Sequence, residues 1–162
     1  METNISIDHS SLDFLLDSLP PDNNGKGKRF EQVAKWCLET SPEYATKFEN
    51  VWLWSDWPER PTRDIGIDLV GETRDGERWA IQAKGYDPKN QVPTSDIDSF
   101  ISASSTGAFT HRLLISTGKI SRVAETKLKQ QAIKSPRLLY HDLRASSVDW
   151  QAFQNPELPA RP

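Results

Sequence analysis

Two alternating runs, residues 65–73 (IGIDLVGET) and 77–85 (ERWAIQAKG), flank the triplet Arg74-Asp75-Gly76. Nothing else in the chain limits its fold as tightly. Two strands joined by a three-residue loop with glycine in the left-handed position form an antiparallel hairpin. That loop pairs Thr73 with Glu77, so facing residue numbers sum to 150. Side chains alternate along a strand, which puts Ile65, Ile67 and Leu69 on one face and Asp64, Gly66, Asp68 and Val70 on the other. Asp68 then faces Gln82, with Lys84 diagonal to it across Gly66, whose missing side chain leaves space beside the lysine. A two-residue loop would shift the register by one and separate Asp68 from Gln82 and Lys84.

A carboxylate, an amide and an ammonium on one patch of sheet suit a hard divalent ion and a phosphate. Mg2+ takes oxygen ligands, often one or two carboxylates with substrate phosphate and water. Asp68 supplies a carboxylate, Gln82 a neutral carbonyl oxygen, and the main-chain oxygen of Ala83 is a further candidate ligand. Lys84 is suited to stabilising charge on a phosphoryl oxygen, or to orienting and deprotonating an attacking water. Plain alternation on a half-exposed sheet explains the same three residues without a ligand, because their spacing has low specificity by itself.

The remaining elements follow from periodicity. "SSLDFLLDSLPP" reads as a short helix capped by Ser10 or Ser11 and ended by Pro20 and Pro21. "DNNGKGK" reads as a flexible loop. From Lys28 to about Thr40, Phe30, Val33, Ala34, Cys37 and Leu38 recur at helical spacing. Glu31 lies roughly 100° round from Phe30, at the border of that apolar stripe, where it can reach a site on the sheet. It is equally placed for an ion pair with Lys35 four residues on. A short helical turn starts at "SPEY", a strand covers Val51 to Trp54, and Trp52, Trp54 and Trp57 stand in a Pro-rich loop as packing groups or a stacking platform. A helix over "SDIDSFISASS" has Ser95 as its candidate cap. The strand "HRLLISTG" follows, then a helix over "SRVAETKLKQQAIK" with Val123, Ala124, Leu128 and Ala132 facing inward. The strand "PRLLYHDL" and a closing helix "SSVDWQAF" complete the order. Trp79 and Trp150 belong to the core, and His111 and His141 to strand entry or surface. The alternation of elements predicts α/β: a mixed sheet with helices on both sides.

Composition sets bounds on function. At 162 residues the chain is one domain in size. The single cysteine, Cys37, excludes an intrachain disulfide and a Cys-rich zinc site. No apolar run is long enough to span a membrane, and the first residues lack a secretory layout, so the expected location is cytoplasmic. The net charge of -3 hides an asymmetry. Residues 1–24 carry five acids and no Lys or Arg, whereas residues 110–145 carry eight Lys or Arg against two acids. A basic second half can meet a polyanion, although such runs are usually solvated surface. No Gly-x(4)-Gly-Lys-Ser/Thr loop is present, so any ATP use belongs to another domain.

The segments "KRFEQVAKW", "RDIGIDLVG", "WAIQAKGY" and "SSVDW" together resemble the Mrr-like restriction endonuclease domains of the PD-(D/E)xK nuclease superfamily. They are similar in particular to the domain at the N-terminus of type ISP and other helicase-containing restriction-modification proteins. The resemblance implies a restriction-endonuclease-like three-layer α/β/α fold with a central mixed sheet and a catalytic hairpin. It implies a Mg2+-dependent DNA endonuclease, with Mn2+ able to substitute. Glu31, Asp68, Gln82 and Lys84 become the catalytic set, and Glu31, Asp68, Gln82 and Ala83 the metal ligands. Gln82 stands where Glu is commoner in the superfamily, a substitution characteristic of the Mrr-like branch that removes a negative charge from the metal. Double-stranded DNA is the implied substrate, with Lys26, Lys28, Arg29, Tyr86 and Lys89 as candidate backbone contacts and Gln91 in the same loop. Residues 1–24 are read as a helical or flexible extension, 25–155 as the nuclease domain, and 156–162 as a linker to a helicase region. Translocase, methyltransferase and target-recognition domains are the implied partners in a larger ATP-driven protein. Two rivals remain open: a nuclease-like module that binds DNA with weak or no cleavage, and a structural or protein-interaction domain sharing the fold.

Overall fold

The computed structural model describes residues 12–20, 22–59, 66–85, 88–105, 108–133 and 135–154. Its elements are α1 (Leu12–Asp17), α2 (Asn23–Thr40), α3 (Pro42–Ala45), β1 (Phe48–Leu53), β2 (Leu69–Thr73), β3 (Arg78–Lys84), α4 (Thr94–Ala103), β4 (His111–Ser116), α5 (Arg122–Lys129), β5 (Arg137–Leu138), α6 (Tyr140–Ala145) and α7 (Trp150–Gln154). The sheet order is β1-β2-β3-β4-β5. β2 pairs antiparallel with both β1 and β3, while β4 pairs parallel with both β3 and β5.

The hairpin has the register expected of a three-residue loop. Leu69 pairs with Ile81, Val70 with Ala80, Gly71 with Trp79 and Glu72 with Arg78. The Thr73 N–H donates to Glu77 O at 2.9 Å, and Gly76 has φ of +87°, the left-handed conformation that favours glycine. The first strand is shorter than the sequence suggests: β2 begins at Leu69, and residues 66–68 are irregular. Alternation fails there. Ile67 packs with Val70 and Ala80, whereas Leu69 packs on the opposite face with Ile81. Ile65 and Asp64 lie outside the described residues.

Helices cover both faces of the mixed sheet. Phe30, Val33, Ala34, Cys37 and Leu38 of α2 bury themselves against Leu69, Ile81, Ala83, Leu113 and Ile115, and Leu12, Leu15, Leu143 and Trp150 from α1, α6 and α7 join the same cluster. On the other face Phe100 packs with Trp54, Trp57 and Phe109, and Ile97 packs with Leu114, Ala124 and Leu128. The tryptophan loop is therefore packing: Trp54 and Trp57 are buried, with ring centroids 5.4 Å apart, and Trp52 packs against them. Trp79 and Trp150 are core residues. His111 opens β4, stacked on Trp79 at 4.9 Å, and His141 is exposed.

Several boundaries differ from expectation for local reasons. α2 starts at Asn23 because Asp22 caps it, its carboxylate accepting from Gly25 N at 2.7 Å; the glycines of "DNNGKGK" are helical. Pro93, not Ser95, precedes α4 as its cap residue, without a side-chain cap bond. Val123 is 58% exposed; α5 is stripe-like only through Ala124 and Leu128, and it ends before Ala132, which is exposed. β5 is two residues long, and the rest of "PRLLYHDL" turns into α6, where Asp142 accepts from Leu139 N. Ser10, Ser11 and Pro21 lie outside the described residues.

Arg112 is buried in β4, with no carboxylate partner among the described residues. It donates to Ser104 Oγ, to Ser105 Oγ at 2.8 Å and to Ile101 O at 3.2 Å, all at the C-terminal end of α4. A cation there complements the helix dipole, and burial lowers the guanidinium pKa. This fixes one end of the helix whose other end meets the candidate site.

Burial pushes the Cys37 thiol from 9.0 up to about 12, with Glu43 adding to the rise, and the Tyr44 phenol from 10.0 up to about 12 for the same two leading reasons. Both groups stay protonated in the fold at pH values where the unfolded chain ionises. Their contribution to stability is complete below pH 9 and is lost as pH rises toward 12. The melting temperature is expected to be level from pH 7 to about 9 and to fall above it. In Cys37→Ala the fall should begin about one unit later, where the tyrosine alone acts. A melting curve that drops with the same onset in both proteins would remove Cys37 as the cause.

Candidate active site

A cleft of about 260 Å3 opens between the start of α2 and the adjoining ends of β2 and β3, lined by Lys26, Gly27, Glu31, Asp68, Ala83, Lys84 and Gly85. Three elements deliver its charged groups. Glu31 follows Phe30, whose wholly buried ring seats α2 on the sheet, so the next residue stands at the stripe border. Asp68 sits where the backbone enters β2. Its N–H donates to Ile81 O at 2.9 Å, and its Oδ2 accepts from Ala83 N at 2.8 Å, which fixes the carboxylate across the hairpin. Lys84 is the last residue of β3.

The structure thus brings Glu31, Asp68, Ala83, Lys84 and Lys26 together. Gln82 is placed differently. It is 3% exposed and does not line the cleft; its Nε2 donates to Gly66 O at 3.4 Å, and its Oε1 is buried with no hydrogen-bond partner among the described residues. The backbone at 66–68 is irregular and departs from strict strand alternation. The room expected at Gly66 is occupied too, since a side chain there would meet Ser99 O of α4 at 3.3 Å.

Lys35, four residues after Glu31, bridges to Glu39 at 2.6 Å. Lys28 and Lys89 are exposed. Arg29 donates to Gln32 Oε1 at 2.8 Å and stacks over Phe153 at 4.4 Å, outside the cleft lining. Gln91 is exposed and bridges to Lys119. Tyr86 lies outside the described residues.

Sequence reasoning missed Asp96. This first-turn residue of α4 places Oδ2 3.7 Å from Lys84 Nζ. It comes from a helix separated from β3 by a loop, and no local pattern marks it. Among the described residues no group of three or more His, Cys, Asp or Glu side chains is arranged to hold a metal ion. No helix among them is long and apolar enough to cross a membrane.

The fold agrees with known proteins. A restriction endonuclease family profile, Mrr_cat_2, matches residues 39–158. The ATP-dependent Type ISP restriction-modification enzyme LlaBIII bound to DNA is 32% identical over 91% of this chain, with a TM-score of 0.72. That match covers 10% of the larger enzyme's chain. The MspJI restriction endonuclease in complex with a 27-mer oligonucleotide shares the fold at 18% identity and a TM-score of 0.58, over 88% of this chain and 32% of that one. This chain therefore spans about a tenth and a third of the two proteins it matches. No curated protein matches. Profile, identity and fold coincide over most of the sequence, and on that ground the chain belongs to the Mrr-like restriction endonucleases of the PD-(D/E)xK superfamily, with its resemblance directed to the nuclease module of type ISP enzymes.

Proposed function

We propose that the cleft at the end of β3 receives a phosphodiester of double-stranded DNA and hydrolyses it with a divalent ion, Mg2+ or Mn2+, held firmly once the phosphate is in place. The observation that carries this reading is the meeting of Glu31, Asp68 and Lys84 in one cleft from three separate elements. The donor set fits a hard cation completed by substrate. Two carboxylates line the cleft with Ala83, and the neighbouring Gln82 holds a buried oxygen that accepts no hydrogen bond among the described residues. Such an oxygen costs about 1–3 kcal/mol unless something satisfies it. Glu31 and Asp68 are the residues that would hold the ion, with Ala83 O and Gln82 Oε1 as neutral ligands. When bound, it would polarise the phosphoryl oxygens.

The protein's own groups do the rest. The Ala83 N–H orients Asp68, and Lys84 carries the positive charge that offsets charge gathering on phosphoryl oxygen in the transition state. Asp96 keeps that ammonium at the cleft edge. Lys26, Lys28 and Lys89 are the backbone contacts this reading favours, since Lys26 lines the cleft and the other two are exposed; Arg29 and Tyr86 stand as weaker candidates. The larger ATP-driven setting, with translocase, methyltransferase and target-recognition domains, is part of the proposal and rests on the likeness to the type ISP enzyme.

A second reading has a specific observation in its favour. A module that binds DNA without cutting would tolerate two clustered carboxylates in place of three, and a buried amide at Gln82. Incubating the intact protein with supercoiled plasmid and Mg2+, Mn2+ or EDTA separates the two. Metal-dependent nicking supports hydrolysis and excludes the binding-only reading. Salt-sensitive binding without nicking, with the complete translocating protein and ATP present, excludes hydrolysis and leaves binding alone. Absence of both removes DNA as the substrate.

A further inference from the structure

The C-terminal ends of β3 and β4 are stitched into one rim by main-chain bonds. Thr117 N donates to Lys84 O at 3.1 Å, Lys119 N to Asn90 O at 2.7 Å, and Val92 N to Lys119 O at 2.9 Å. Gln91 and Lys119 form a parallel bridge. Ser116 Oγ closes the turn between them, accepting from Gly118 N at 2.9 Å and donating to Gly118 O at 3.0 Å. Thr117 and Gly118 are buried, whereas Lys119 is exposed. Lys119 rises from a turn fixed on both sides. Its Cα is at most about 7 Å from that of Thr117, the residue hydrogen-bonded to Lys84.

Some cations in the same half of the chain are matched by acids. Lys127 faces Asp98 at 2.8 Å and Arg137 faces Glu125 at 2.7 Å. Lys119 makes no ion pair among the described residues, and exposed Lys89 stands next to Asn90, whose carbonyl accepts the Lys119 N–H. An exposed lysine on a main-chain-braced turn, matched by no acid among the described residues and two residues from the Thr117 that bonds Lys84 O, fits a second phosphate of the same polyanion. The rise per nucleotide is about 3.4 Å along one strand, so a phosphate within a few nucleotides of the one in the cleft falls in its range.

We propose that Lys119 is a DNA-backbone contact, anchoring a phosphate close to the scissile one through the rigid β4–α5 turn. This rests on the reading of the cleft as a DNA site. The test is the salt dependence of duplex binding by the intact protein, read by fluorescence anisotropy of a labelled duplex from 50 to 200 mM KCl with Ca2+ in place of Mg2+. Lys119→Gln is compared with the parent, with Lys26→Gln in the cleft, and with Lys129→Gln at the far end of α5.

Each lost phosphate contact lowers the slope of log affinity against log salt by about 0.9, so Lys119→Gln should lose roughly 3.5-fold less affinity than the parent across that range. Lys129→Gln should match the parent. A parent slope kept in Lys119→Gln but reduced in Lys26→Gln overturns the role of Lys119 and leaves the cleft reading standing. A parent that binds without salt dependence, or not at all, overturns both. Substitution at so exposed a position is expected to leave folding intact, and coincident melting curves of parent and variant check it.

Discussion

Asp68→Asn and Lys84→Ala are each expected to lower metal-dependent nicking by about 10^2–10^3-fold or more, the scale seen when one preorganised electrostatic group is removed from a transition state. Asn is the better replacement at position 68. Asp68 Oδ2 accepts from Ala83 N, and removing that acceptor leaves a partly buried N–H unsatisfied, at a cost of about 1–3 kcal/mol. Asp68→Ala therefore mixes lost folding with lost chemistry, whereas Asp68→Asn keeps an oxygen for Ala83 and deletes only the charge. Lys84 sits at the edge of the cleft, 26% exposed, so its ion pair with Asp96 adds little to stability and its truncation reports on chemistry. Plasmid nicking rates, duplex affinity in Ca2+ and melting temperature measured on the same samples separate these effects. Parent-like nicking by Asp68→Asn would exclude Asp68 from the reaction. Loss of binding in step with loss of nicking would assign both residues to holding DNA rather than to cleaving it.

The hairpin was legible because its determinants are local. A glycine at the third loop position and a period of two on each side fix the register, and the β2–β3 pairs follow it residue for residue. The α2 stripe was legible for the same reason, as were the buried Trp79, Trp150 and Cys37. What stayed hidden depends on where the chain stops being regular. Ile67 and Leu69 should share a face in a strand, yet they enter different clusters because the strand begins only at Leu69. Asp68, on that irregular approach, lines the cleft, while Gln82 is buried just outside its lining. Asp96 and Arg112 were invisible for a different reason. Their partners, Lys84 for one and the end of α4 for the other, meet them only after the β3–α4–β4 crossover has folded. Val123 failed because a single apolar residue at helical spacing says nothing about which side of a short helix the sheet will occupy.

Phe30→Ala should produce the largest loss of stability, about 3–5 kcal/mol, since the ring is fully buried at the head of the α2 stripe and little around it can collapse into the space. The ring also explains Gly85. A side-chain carbon at position 85 would lie 2.7 Å from Phe30 Cγ and 2.9 Å from Cδ1, far inside van der Waals contact. Gly85→Ala should then cost about 1–3 kcal/mol through overpacking. The two losses should not add. With the ring gone, the new methyl group fills part of the vacated volume, so Gly85→Ala made on the Phe30→Ala background should cost far less than on the parent. Urea unfolding of the four proteins in the cycle measures this, and additive losses would show that the contact does not govern either site. Function is tied to the same contact. Glu31 follows Phe30 on α2, and Gly85 follows Lys84 at the end of β3, so the pair sets the distance between the helix carboxylate and the strand residues across the cleft. Gly85→Ala, the milder of the two, should fold and yet nick DNA more slowly than the parent, with its duplex affinity in Ca2+ changed little. Unaltered nicking in a destabilised Gly85→Ala would mean that the cleft tolerates movement of α2, and that Glu31 has no fixed place in the reaction.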